Sequence, residues 1–77
     1  MKAQTIQDEI FREFIKASGR FPAFNSAHEG YAVILEEVDE FWEEVKKNPE
    51  KHPECKENMR KECTRIAAMC LRFLHDL

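Results

Sequence analysis

A chain of 77 residues with a net charge of −3 and 35% charged side chains makes one globular domain, too short to bury a large core by itself. That balance gives no reason to expect a nucleic acid polymer or an anionic membrane as partner. No apolar run approaches the roughly 20 residues that span a bilayer, and the opening MKAQTIQDEI lacks the apolar segment of a signal peptide. The expectation is a single cytoplasmic domain over 1–77 that completes its core as a homodimer or homotetramer.

Two glycines, three prolines and no period-two alternation leave helices as the regular structure with a signal. Residues 5–18 carry Ile6, Ile10, Phe11, Phe14 and Ile15 at helical spacing, with Thr5 as N-cap and Gly19 at the C-cap position. Pro22 in RFPAFN forbids continuation, and Phe21 and Phe24 are expected to fold back onto the core. Ser26 and Glu29 read as a capping box that opens a second helix from about 27 to 47. Its Tyr31, Ile34, Leu35, Val38, Phe41, Trp42 and Val45 form one broad apolar stripe, and Asn48 with Pro49 ends it. After NPEKHPECKE a third helix runs from about 54–57 to the end, with Met59, Cys63, Ile66, Cys70, Phe73 and Leu77 on its inner face.

Short connections favour antiparallel neighbours. The expected fold is all-α, a three-helix antiparallel bundle that assembles through helices two and three. Cys55, Cys63 and Cys70 lack zinc or CxxC spacing and read as reduced thiols, Cys63 and Cys70 being small buried hydrophobes.

The stretch ILEEVDEFWEEV places six carboxylates between Glu36 and Glu44 with no basic residue among them. Pairs such as Glu36/Glu40 and Asp39/Glu43 repel at i,i+4 by a few tenths of a kcal/mol each, whereas a solvated face normally interleaves lysines. Glu37 borders the apolar stripe beside Val33, Ile34 and Phe41, and Glu62 sits similarly beside Met59 and Ile66. A carboxylate at such a border is costly without a partner. If the two helices pack antiparallel, Glu37 and Glu40 meet Glu62, and hard oxygen donors of this kind suit Mg²⁺ or Mn²⁺.

EEVDE at 36–40 resembles the EExxE motif of the MazG-like all-α nucleoside triphosphate pyrophosphatases, and ECTR at 62–65 stands where that family has ExxD. The resemblance covers roughly 27–77. It implies a Mg²⁺-dependent enzyme that cleaves a nucleoside triphosphate to the monophosphate and pyrophosphate on a dimeric or tetrameric helical bundle. Glu36, Glu37, Glu40 and Glu62 would match its catalytic acids, and Glu37, Glu40 and Glu62 its metal ligands. Lys16, Arg60 and Arg65 are the candidate cations for substrate phosphates, among a wider set that includes Arg20, Lys46, Lys61 and Arg72.

Arg65 replaces the family's metal-binding Asp, and a guanidinium has no lone pair to offer a cation. Three outcomes stay open. The metal could bind through the three glutamates with Arg65 turned to the substrate, or Arg65 could lie among the glutamates as their counter-charge in an inactive pseudo-enzyme. The third is an unrelated helical oligomerisation or partner-binding module.

Overall fold

The computed structural model describes residues 2–77, which form three helices: α1 (Ala3–Arg20), α2 (Ala27–Val45) and α3 (Cys55–Asp76). No strand occurs among the described residues, and no helix there is long and apolar enough to cross a membrane.

α1 runs straight through Gly19, which has no positive φ, so Gly19 is not the cap. The helix stops because Phe21 precedes Pro22 and is driven into an extended conformation (φ −127°, ψ 146°). At the start of α2 the Ser26 Oγ accepts the Glu29 N–H at 3.1 Å, as a capping residue should. The Glu29 carboxylate, however, accepts from the backbone N–H and the Nδ2 of Asn25, both at 3.2 Å, so the box closes one residue further out than expected. α2 ends at Val45, two residues before the expected limit.

α3 lies between the other two. α2 packs antiparallel along it, with Gly30 against Phe73 at one end and the Asn58 Nδ2 donating to Glu44 Oε1 at 2.9 Å at the other. α1 packs on a different side of α3, Phe14 meeting His75 edge-on at 5.4 Å, and α1 and α2 do not pack on each other. The result is an open plate of 41 × 28 × 19 Å in which α2 and α3 form an antiparallel hairpin and α1 lies against α3.

This arrangement moves the inner face of α3. Its buried residues are Cys55, Glu62, Ala68, Met69 and Arg72, while Cys63, Cys70 and Leu77 are exposed and Met59, Ile66 and Phe73 half-buried. A helix held by two neighbours on different sides buries the arc that spans both contacts, and here that arc is turned away from the most apolar stripe. The core is accordingly small: Phe14, Ala17, Phe24, Ala68 and Met69, extended by Ile10, Val33, Ile34, Leu71 and Phe73.

Arg72 fastens the α1–α2 connection to this core. Only 3% exposed, it donates from Nη2 to the Pro22 carbonyl at 2.8 Å and lies over the Phe24 ring at 4.4 Å. Asp76 Oδ2 accepts the Phe24 N–H at 3.0 Å. Phe24 is buried as expected, but Phe21 is 57% exposed, since residues three apart in an extended segment point to opposite sides.

The two glycines stand in opposite surroundings, Gly30 in the α2–α3 contact and Gly19 in the open last turn of α1. A Cβ on Gly30 would come within 2.5 Å of Phe73 Cδ2 and 3.3 Å of Phe24 Cδ2, whereas one on Gly19 meets nothing within 4 Å. Gly30→Ala is expected to destabilise by about 1–3 kcal/mol through overpacking, and Gly19→Ala to stabilise by up to about 1 kcal/mol through helix propensity. Urea unfolding of the two variants gives both signs.

Candidate metal centre

Antiparallel packing brings the second turn-pair of α2 against the middle of α3, and this sets the site. Glu37, Glu40 and Glu62 can each place a carboxylate oxygen within 4.8 Å of the others. They sit in graded surroundings: Glu62 is buried, Glu37 half-buried and Glu40 exposed. Ligands of one Mg²⁺ lie at most about 4.2 Å apart, so the set needs a small closure, and the exposed Glu40 is the member free to make it.

The inward oxygens carry the electrostatic problem. Glu37 Oε2 and Glu62 Oε2 are buried with no hydrogen-bond partner. Two ionised carboxylates have no donor between them, so Glu37 and Glu62 can bond to each other only through a proton held by one of them. Burial first, then that bond to Glu62, then repulsion from Glu40 and Glu62, pushes the Glu37 carboxyl up from 4.5 to about 7, with Arg65 opposing. A buried pair that needs either a proton or a cation is chemically matched to a hard divalent ion.

Arg65 sits at the rim. Its Nη1 donates to Glu62 Oε1 at 2.7 Å, one turn along α3, yet its side chain is 46% exposed. It therefore answers one oxygen of Glu62 and leaves Oε2 unmet.

Beside the carboxylates, α1 and α2 flank an open trough over α3. Two hollows of about 920 and 580 Å³ share Glu13, Lys16 and Arg65. The smaller one is lined by Glu36 and Glu37 from α2 and by Lys16 and Arg20 from α1, whereas Glu40 and Glu62 line neither. Of the residues singled out from sequence, Glu37, Glu40, Glu62 and Arg65 come together. Glu36 and Lys16 line the same hollow, and Arg60 lines the larger one. The rest of the acidic run has other duties: Glu44 accepts from Lys47 and Asn58, which hold its carboxyl below the usual range, and Glu43 pairs with Lys46. Arg72, one of the candidate phosphate cations, instead holds the Pro22 carbonyl. Its signal in the sequence was Asp76 at i+4 between flanking apolar residues.

No family model, curated protein or solved structure matches the chain.

The raised Glu37 carboxyl makes stability depend on pH in a defined direction. In the folded chain it keeps its proton up to about 7, while in the unfolded chain it loses it near 4.5. Its contribution is complete below the lower value and is lost as pH rises through the window, by an amount on the order of 1–3 kcal/mol. Glu44 and Asp76, whose carboxyls are held low, act only at more acid pH. Metal-free wild type is expected to be more stable in urea at about pH 5 than at about pH 8, and Glu37→Gln to remove most of that difference.

Proposed function

We propose that the chain is a Mg²⁺-dependent nucleoside triphosphate pyrophosphohydrolase of the MazG-like kind, acting as a homodimer or homotetramer. The observation that supports it most is the pair of buried, donorless oxygens on Glu37 and Glu62 beside Glu40, next to a hollow that Glu37 lines together with Lys16 and Arg20. Carboxylates alone repel a triphosphate. Carboxylates with a cation beside a basic wall do not.

Glu37, Glu40 and Glu62 would hold the metal, with water completing the shell. When bound, the cation supplies neutralisation of phosphate oxygens and a lowered pKa for water. Lys16, Arg20 and the exposed part of Arg65 would bind the phosphate oxygens from across the hollow, Arg60 extending the basic wall. Glu36, exposed on the same hollow, would accept the proton of the attacking water. Water oxygen bonds to the α-phosphorus, the bond to the bridging oxygen breaks, and pyrophosphate leaves.

The second reading is an inactive bundle in which Arg65 takes the place of the cation, and the 2.7 Å Arg65–Glu62 pair favours it. Its half-exposed geometry limits that pair to about 1 kcal/mol, less than a fully buried pair would contribute, and it satisfies one oxygen of four on the two inner glutamates.

Incubation with a panel of NTPs and dNTPs plus Mg²⁺, resolving pyrophosphate from orthophosphate, tests the reaction. Pyrophosphate is the expected product, and absence of release from every nucleotide moves the assignment to the inactive bundle. Thermal melts test the site separately. Millimolar Mg²⁺ is expected to raise the wild-type Tm by about 5 °C, by mass action on the folded state. Glu40→Gln should abolish that shift, and Arg65→Asp should enlarge it by supplying a fourth ligand. Equal shifts in wild type and Glu40→Gln would show that these glutamates hold no metal.

A further inference from the structure

The two hollows meet at one level of the trough, and all three helices put the boundary there. On α1 the larger is lined from Ile6 to Lys16 and the smaller from Glu13 to Arg20. On α3 the larger runs from Glu57 to Ala67 and the smaller from Arg65 to Arg72. On α2 the smaller ends at Glu37 and the larger takes Phe41, one turn on. That level is also the level of the carboxylates, since Glu37 belongs to the smaller hollow and Arg65, which lines both, donates to Glu62. A bond broken beside these groups has a hollow on each side of it.

The larger hollow does not suit pyrophosphate as its occupant. At about 920 Å³ it is the size of a small-molecule site by itself, as is the smaller at about 580 Å³, against a usual range of roughly 300–1,000 Å³. Its lining includes Ile6, Ile10, Phe41 and Met59, which offer a strongly hydrated anion nothing, together with Arg12 and Lys61. Apolar surface with a few cations beside it fits an organic group that carries a phosphate.

Charge points the same way. The smaller hollow is lined by four basic and four acidic side chains, and Glu40 and Glu62 stand next to it. One divalent ion brings that sum to about zero. A nucleoside triphosphate carries roughly −4, whereas a diphosphate esterified at both ends carries roughly −2 and asks less of such a site.

We propose that the site cleaves diphosphates esterified at both ends, with one nucleotide in the smaller hollow and a second in the larger. This deepens the hydrolase reading above and rests on it. Water oxygen bonds to the phosphorus on the side of the smaller hollow, and the proton it loses passes to Glu36. The bond from that phosphorus to the bridging oxygen breaks, and the other phosphate leaves with the bridging oxygen and its electron pair. A dinucleoside diphosphate thus gives two nucleoside monophosphates and no pyrophosphate.

Incubation of the adenine, guanine, cytosine and uracil dinucleoside diphosphates with Mg²⁺, beside the matching NTPs and dNTPs, tests this. The expected result is conversion of a dinucleoside diphosphate to two monophosphates, with a KM below that of the matching triphosphate by roughly tenfold or more. Ile6→Gln and Arg12→Gln, both at exposed positions of the larger hollow, should raise that KM by roughly fivefold more than they raise the KM of the triphosphate. Equilibrium dialysis of the monophosphates with Mg²⁺ reads the two hollows without turnover, and two should bind per chain. Cleavage of triphosphates with no dinucleoside diphosphate cleaved overturns the proposal and leaves the hydrolase reading standing. A single monophosphate bound per chain overturns it as well, as do equal effects of Ile6→Gln and Arg12→Gln on both KM values. Turnover of neither class removes the hydrolase reading and the proposal with it.

Discussion

Arg72 is the interaction on which the placement of everything else depends. The backbones of α1 and α2 do not approach each other closely, so their separation is set by α3 and by the connection that joins them. Arg72 is what ties that connection to α3, through the Pro22 carbonyl and the Phe24 ring, while Asp76 takes the Phe24 N–H. A buried guanidinium is weak evidence of net stability, because its desolvation offsets most of what its partners return, and here Nε has no partner at all. Its contribution is geometric. With the connection fixed, Lys16 and Arg20 stand across the hollow from Glu36 and Glu37 instead of swinging free.

The carboxylate cluster follows from the same openness. A closed three-helix bundle would have filled the space beside Glu37 and Glu62 with a third apolar stripe, and both would have needed to be neutral. In the plate, α1 leans on another side of α3 and leaves one flank of the α2–α3 contact open to water. Glu62 can then be buried at its stem yet meet Arg65 at the rim, and Glu40 can stay solvated while its carboxylate approaches the other two. The raised Glu37 carboxyl measures the remaining imbalance: one negative charge too many for the space, relieved by a proton or by a cation.

This explains which parts were legible in the sequence. The helices were, because Pro22, Ser26 and Pro49 mark the breaks and the apolar spacing between them is regular. The meeting of Glu37, Glu40 and Glu62 was also legible, since it needs only an antiparallel pair and one-turn spacing, both local properties. The buried arc of α3 was not. Periodicity locates the most apolar stripe of a helix, but which stripe is covered within the chain depends on where α1 settles, a choice made by the Arg72 anchor and by Phe24 more than by α3 itself. For that reason the apolar spacing alone places Cys63 and Cys70 in the interior and leaves Arg72 a candidate phosphate cation.

The misplaced stripe is informative in its own right. A sequence seldom spends Tyr31, Leu35, Val38, Trp42, Leu74 and Leu77 on water, and a core cluster of five buried residues is small for three helices. The charged trough could not supply that stability, because packing a second copy there would bury Glu37 and Glu62 deeper and raise the desolvation cost already seen in Glu37. The open flank beside Glu37 and Glu62 therefore stays with water and charge, while Tyr31, Leu35, Val38, Trp42 and Val45 run along another side of α2.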